Sequence, residues 1–123
     1  MTTPRETMSV AIIGCGRVGA TLACALSGRG WSVSHLASSS RASADRLAGL
    51  IDGAMVHATP QQAVDAADLV MLTVPDDSIA AVADSISWTA QHHAVHCSGS
   101  LGLDVLPDHV NRGSFHPIMT IPT

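Results

Sequence analysis

The stretch VAIIGCGRVGATLACAL, residues 10–26, constrains this chain more than any other. It sets three glycines, Gly14, Gly16 and Gly19, between a continuous apolar run and a run of helical period. An apolar run of this length reads as a strand buried on both faces, as a parallel sheet requires. From Arg17 the period changes: Val18, Leu22 and Leu26 recur every four residues, along one face of a helix. Gly28 and Gly30 mark its end. The spacing G-x-G-x-x-G arises often by chance, but between strand and helix each glycine acquires a task. Gly14 permits a tight turn, Gly16 lets backbone approach a pyrophosphate, and Gly19 lets the helix pack close on the strand. Free N–H groups and the dipole at the helix start favour the negative charge of phosphates. Cys15, Arg17 and Val18 fill the loop and join the glycines as candidate cofactor contacts. The competing reading is three turn glycines in an ordinary α/β domain.

Strand and helix patterns then alternate. WSVSHLA (31–37) reads as a second strand and ASADRLAGLI as a short helix with Leu47, Leu50 and Ile51 inward. AMVH is a weak third strand, and Pro60 opens a short helix through Ala67. LVMLTV (69–74) is another buried strand. After it, Asp76, Asp77 or Ser78 can cap a helix whose inner face is Ile79, Val82 and Ile86. HAVHC is a fifth strand, LGLDVL a helical turn stopped by Pro107, and GSFH a sixth strand. About six strands with helical crossovers imply an α/β fold, a doubly wound and mainly parallel sheet. Residues 1–7 read as a flexible arm and 8–123 as one dinucleotide-binding domain.

The second loop bears on the choice of cofactor. NAD-binding domains of this kind end the second strand with an acidic residue that holds the ribose hydroxyls. Here HLASSSRAS has none; Ser38, Ser39, Ser40 and Arg41 stand there instead. Hydroxyl donors and a guanidinium suit a 2′-phosphate, which a carboxylate would repel. NADP is therefore the expected cofactor, with NAD as the alternative. A polar loop with Ser43 as helix cap would look similar. Ligands of open α/β sheets sit where the strand order reverses, so Val74 and Pro75 are expected along the cofactor. Ser98 and His116 are the candidate catalytic residues, with Ser100 beside Ser98 on the same loop.

Composition excludes several classes. The basic residues are six arginines, with no lysine, and the net charge is −4, so no basic stripe follows a nucleic-acid backbone. No window approaches the ~18 apolar residues of a membrane span. The N-terminus MTTPRETMS lacks the apolar core of a signal peptide. Three cysteines, Cys15, Cys24 and Cys97, at no metal-like spacing fit a reducing cytoplasm. HHAVHC clusters His92, His93 and His96, but strand geometry sets His92 and His96 roughly 13 Å apart, so no metal site is expected.

Taken together, VAIIGCGRVGATLACAL, VPDDSIAAVA, HCSGSLGLDVL and GSFHPIMT resemble one family. They are similar to the N-terminal Rossmann-like domain of oxidoreductases related to pyrroline-5-carboxylate reductase and 6-phosphogluconate dehydrogenase. The resemblance implies an NAD(P)-binding fold and, in a whole enzyme, hydride transfer to or from a small carbonyl, imine or acid. It matches Gly14, Gly16 and Gly19 to the pyrophosphate loop, Ser39 and Arg41 to the NADP-selective positions, and Val74 and Pro75 to the segment along the cofactor. In such relatives a helical second domain builds much of the substrate pocket and usually the dimer. Nothing like it follows within these 123 residues. Binding without turnover is the expectation, with a small-molecule substrate engaged only alongside that domain. Self-association through uncovered apolar surface is also expected. A stand-alone nucleotide-sensing module is the alternative.

Overall fold

The computed structural model describes residues 8–89, 91–96, 106 and 111–114. The expected arm at 1–7, Cys97, Ser98, Ser100 and His116 lie outside the described residues, as does the expected turn at 101–106 apart from Leu106. Six strands alternate with four helices: β1 (Ser9–Ile13), α1 (Arg17–Gly28), β2 (Ser32–Ala37), α2 (Arg41–Ala48), β3 (Met55–Val56), α3 (Pro60–Asp65), β4 (Leu69–Leu72), α4 (Asp76–Ser85), β5 (His93–His96) and β6 (Asn111–Ser114). The sheet order is β3-β2-β1-β4-β5-β6 and every pairing is parallel. The chain leaves β1 toward one edge and returns at β4 to build the other, so the strand order reverses between β1 and β4.

The period of two along β1 builds a core on each face. Val10 and Ile12 pack with Leu22, Ala23, Ala44 and Leu47 from α1 and α2. Ala11 and Ile13 pack with Ala63, Val64, Ile79 and Ala83 from α3 and α4. This two-sided burial is why β1 from Val10 to Ile13 and the whole of β4 are apolar. In β2 the pairing slips by one residue: Val10 faces Val33, but Ala11 faces His35, leaving Ser34 as an extra residue. Bulges of this kind are rare between parallel strands.

Several boundaries and faces differ from the sequence expectation. α3 ends at Asp65 rather than Ala67. β6 begins two residues before GSFH, because β5 offers four residues for pairing, from His93 opposite Asn111 to His96 opposite Ser114. Leu50 is 67% exposed, since α2 ends at Ala48 with Gly49 as its C-cap and the helical period no longer applies. Val18 is 43% exposed. It lies on the apolar stripe of α1, but in the first turn, where that helix borders a cleft at the end of the sheet.

Candidate functional site

The carboxyl ends of β1, β2 and β4 open into a cleft of about 710 Å³. Three loops wall it, two of them together with the helix starts they lead into: residues 14–18 after β1, residues 38–40 after β2, and residues 73–76 after β4. Ser43, Ala58 and Pro60 close one side, and Ile79 and Val82 of α4 contribute apolar surface. Of the residues picked out from the sequence, Gly14, Cys15, Gly16, Arg17, Val18, Ser38, Ser39, Ser40, Val74 and Pro75 line this cleft together.

The loop after β1 is held from both neighbouring strands. The Ala37 carbonyl at the end of β2 accepts from the Gly14 N–H at 2.8 Å and from the Cys15 thiol at 3.7 Å. On the other side the Thr73 hydroxyl reaches the Gly14 carbonyl at 2.7 Å and the Ile13 carbonyl at 3.2 Å. Gly14 sits at φ +101°, and a Cβ there would lie 2.8–2.9 Å from the Thr73 and Val74 backbone. Gly19 is equally required, because a Cβ would run into the Gly14 carbonyl oxygen and approach Thr73 Oγ1. Gly19 thus packs the helix onto the loop as the spacing implied. Gly16 is different: a Cβ on it would meet nothing within 4 Å. The open space there belongs to the cleft.

Among the described residues, the start of α1 supplies unclaimed donors. The first N–H groups of a helix have no intrahelical partner. The N-cap of α1 is Gly16, with no side-chain cap hydrogen bond. α4 also begins without a side-chain cap, its N-cap being Pro75, so the expected capping by Asp76, Asp77 or Ser78 is not observed. Proline fixes the approach to the helix, and Asp76 and Asp77 fall within the first turn, where their charge suits the dipole. α2 and α3 do have side-chain caps, from Ser40 and Thr59.

The serine loop uses two of its hydroxyls as acceptors for its own backbone. Ser38 Oγ accepts from the Ser40 N–H at 3.2 Å, and Ser40 Oγ accepts from the Ser43 N–H at 3.2 Å. Ser40, not Ser43, is therefore the cap of α2. Arg41 is the first residue of α2 and does not line the cleft. Its Nε donates to Asp45 Oδ1 at 3.0 Å, with both side chains well exposed. Such an i,i+4 surface pair is worth about 0.3–0.5 kcal/mol, so a stronger partner can displace it.

Among the described lining residues the ionisable side chains are Cys15, Arg17 and Asp76. Burial pushes the Cys15 thiol up to about 11, so it stays protonated and uncharged at neutral pH. Among the described residues no group of three or more His, Cys, Asp or Glu is placed to hold a metal ion. His92 and His96 are buried, His93 is exposed, and His92 Nε2 lies 3.0 Å from the Val64 carbonyl. No helix among the described residues is long and apolar enough to cross a membrane. Ser43, Thr73, Asp76 and Ser78 are polar cleft residues to which sequence reading gave no binding role, although it set the stretch TVPDDSI beside the glycine loop. A hydroxyl amid the apolar run LVMLTV was the available signal for Thr73.

A parallel sheet of this order, with a glycine turn and an uncapped helix at its reversal point, defines the doubly wound α/β class. The chain belongs to the Rossmann-like domain family, whose model matches residues 2–121. Solved structures share the fold. A candidate NADP oxidoreductase from Bacteroides fragilis is 24% identical with a TM-score of 0.78, over 92% of this chain and 45% of that one. A pyrroline-5-carboxylate reductase from Coxiella burnetii is 19% identical with a TM-score of 0.68, over 80% and 38%. An imine reductase variant from Myxococcus stipitatus, in complex with NAD+, is 22% identical with a TM-score of 0.63, over 80% and 34%. The chain spans less than half the length of each of these three structures. No curated protein matches the sequence.

Proposed function

We propose that the cleft holds a nicotinamide dinucleotide, NADP in preference to NAD, as the cofactor-binding part of an oxidoreductase acting on a small carbonyl, imine or acid. One observation carries the reading. At the reversal point of the sheet, an uncapped helix start adjoins open space at Gly16, inside a cleft large enough for a ligand. The chain's residues suit the group. Backbone N–H groups of the first turn of α1 take the pyrophosphate, and the Arg17 guanidinium offsets its charge. Ser38, Ser39 and Ser40 receive the ribose end, and Arg41 leaves Asp45 for a 2′-phosphate. Val74 and Pro75 lie along the remainder of the cofactor. When bound, the nicotinamide supplies or accepts a hydride. The oxidoreductase assignment also draws on the fold shared with reductases. A reducing cytoplasm suits Cys15 and Cys24, both free thiols.

Turnover needs more than these walls supply. Hydride transfer asks for a reacting carbon held within roughly 3–3.5 Å of the nicotinamide, with a proton donor in reach. The described cleft residues include no lysine or histidine. Ser98 and His116 are the proposed candidates for the nicotinamide end. The test is calorimetric titration of the 123-residue chain with NADPH and NADH, followed by an absorbance screen of keto acids, aldehydes and cyclic imines. Binding of NADPH more tightly than NADH, without steady turnover, is expected. Equal affinity removes the NADP preference, no binding removes the cofactor reading, and turnover lost on Ser98→Ala or His116→Ala shows a complete active site in this chain.

A further inference from the structure

We infer that Thr73 is the positioning residue of the glycine loop, orienting the pyrophosphate-binding backbone through its side-chain hydroxyl. The inference rests on the dinucleotide reading of the cleft but concerns a lining residue to which that reading assigns no cofactor contact.

Thr73 follows β4 and is buried. Its backbone N–H donates to the Ile13 carbonyl at 2.9 Å, extending the β1–β4 ladder by one bond. The Ile13 carbonyl is therefore satisfied without the side chain. The hydroxyl has one hydrogen and two carbonyls in reach, and the shorter contact, 2.7 Å, is to Gly14. Among the described contacts the Thr73 hydroxyl is the side-chain donor to the Gly14 carbonyl.

The consequence follows from peptide geometry. A trans peptide sets its C=O and the following N–H antiparallel. Holding the Gly14 carbonyl toward β4 therefore fixes the Cys15 N–H in the opposite sense and sets the path of the chain into Gly16. Gly19 packs against the same two atoms, the Gly14 oxygen and Thr73 Oγ1, so the start of α1 takes its position from this bond as well. One hydroxyl thereby aligns the turn and the helix start that present donors to the cleft. It also ties them to Val74 and Pro75, the next two residues of the chain, which form a different wall.

The test compares Thr73→Val, which keeps the shape and replaces the hydroxyl by a methyl, with Thr73→Ser, which keeps the hydroxyl. Thr73→Ala serves as a second variant that removes the donor without adding a methyl against the Gly14 oxygen. NADPH affinity is measured by calorimetry and amide hydrogen exchange at residues 15–18 by NMR, both on the full 123-residue chain. Thr73→Val and Thr73→Ala are expected to weaken NADPH by about ten-fold, the scale of one lost hydrogen bond. Both should speed exchange at residues 15–18 in the ligand-free chain, and Thr73→Ser should restore both properties. Unchanged affinity and exchange in Thr73→Ala overturn the inference, as does a Thr73→Ser variant as impaired as Thr73→Ala. If the wild-type chain binds no dinucleotide, the cofactor reading falls by itself. Exchange in the ligand-free variants then still decides whether the hydroxyl orders the loop.

Discussion

The loops after β1 and β2 line the same cleft side by side but are built on opposite plans. The glycine loop is anchored from outside, by the Ala37 carbonyl and the Thr73 hydroxyl, and the helix that follows has no side-chain cap. The serine loop is anchored from within, Ser38 to Ser40, Ser40 to Ser43 and Arg41 to Asp45. Donors in the first are reserved in the ligand-free chain. In the second, Ser38 and Ser40 serve as acceptors for their own backbone and keep their O–H donors, whereas Arg41 must exchange Asp45 for any new partner. A preformed donor set costs little to engage, whereas an exchange returns only the difference between two bonds. On the proposed reading, the first loop takes the part that all dinucleotides share, and the second carries the distinction among them.

The largest expected effects break the first loop in two separable ways. Gly14→Ala combines a left-handed backbone with a Cβ against the Thr73 and Val74 backbone. It should cost on the order of 3–5 kcal/mol of stability, visible as a large fall in thermal midpoint. Gly16→Val places its side chain in open space. Its thermal midpoint should stay near wild type while NADPH binding disappears in calorimetry. A Gly16→Val chain that binds normally would mean the open space is not where the phosphates lie.

Smaller effects belong to the second loop. Arg41→Ala should weaken NADPH by about 1.5–3 kcal/mol, the range for hydrogen bonds to charged groups, and leave NADH nearly unchanged. Ser40→Ala removes the cap of α2 and should lower stability by about 1 kcal/mol in denaturant titration. If Arg41→Ala affects both cofactors alike, the exchange of partners does not discriminate between them.

The smallest effect lies beside the serine loop, at the β2–β3 edge. His35 Nδ1 lies 3.0 Å from His57 Nε2. Burial, and secondarily the charge of His57, hold the His35 pKa below its ordinary value of 6.5. The folded chain thus binds this proton less readily than the unfolded chain. The contribution to stability is fully present above about pH 6.5 and is lost as pH falls toward the folded pKa. Denaturant titrations from pH 7.5 to 5 should show a decline that His35→Gln reduces.

Much of this arrangement was legible in the sequence, because parallel strands buried on both faces are apolar throughout and stand out from amphipathic helices. Residues 9–14 and 69–74 marked the central strands, and the glycine spacing marked the turn between β1 and α1. Faces and caps were less legible. Val18 keeps the period of α1, but the period does not say where the sheet beneath it ends. Ser40 and Ser43 are chemically equal as caps, and only the backbone at the helix start separates them. The partnership of Thr73 with Gly14 spans 59 residues of sequence, and no local pattern encodes it.

The extra residue at Ser34 has a consequence of parity. Side chains on a strand change sides at every step, so residues separated by an odd count point to opposite faces. Val33 and Leu36 are three apart, yet both join the core beneath α1 and α2. The slip at Ser34 adds the odd step that brings them to the same side. By the same arithmetic Ala37 is sent to the other core. The phase of the strand is reset midway, and its first half is free of the alignment that its last residue must satisfy. Ala37, whose carbonyl receives Gly14 and Cys15, is thus set by the count after Ser34 rather than by the count from Trp31.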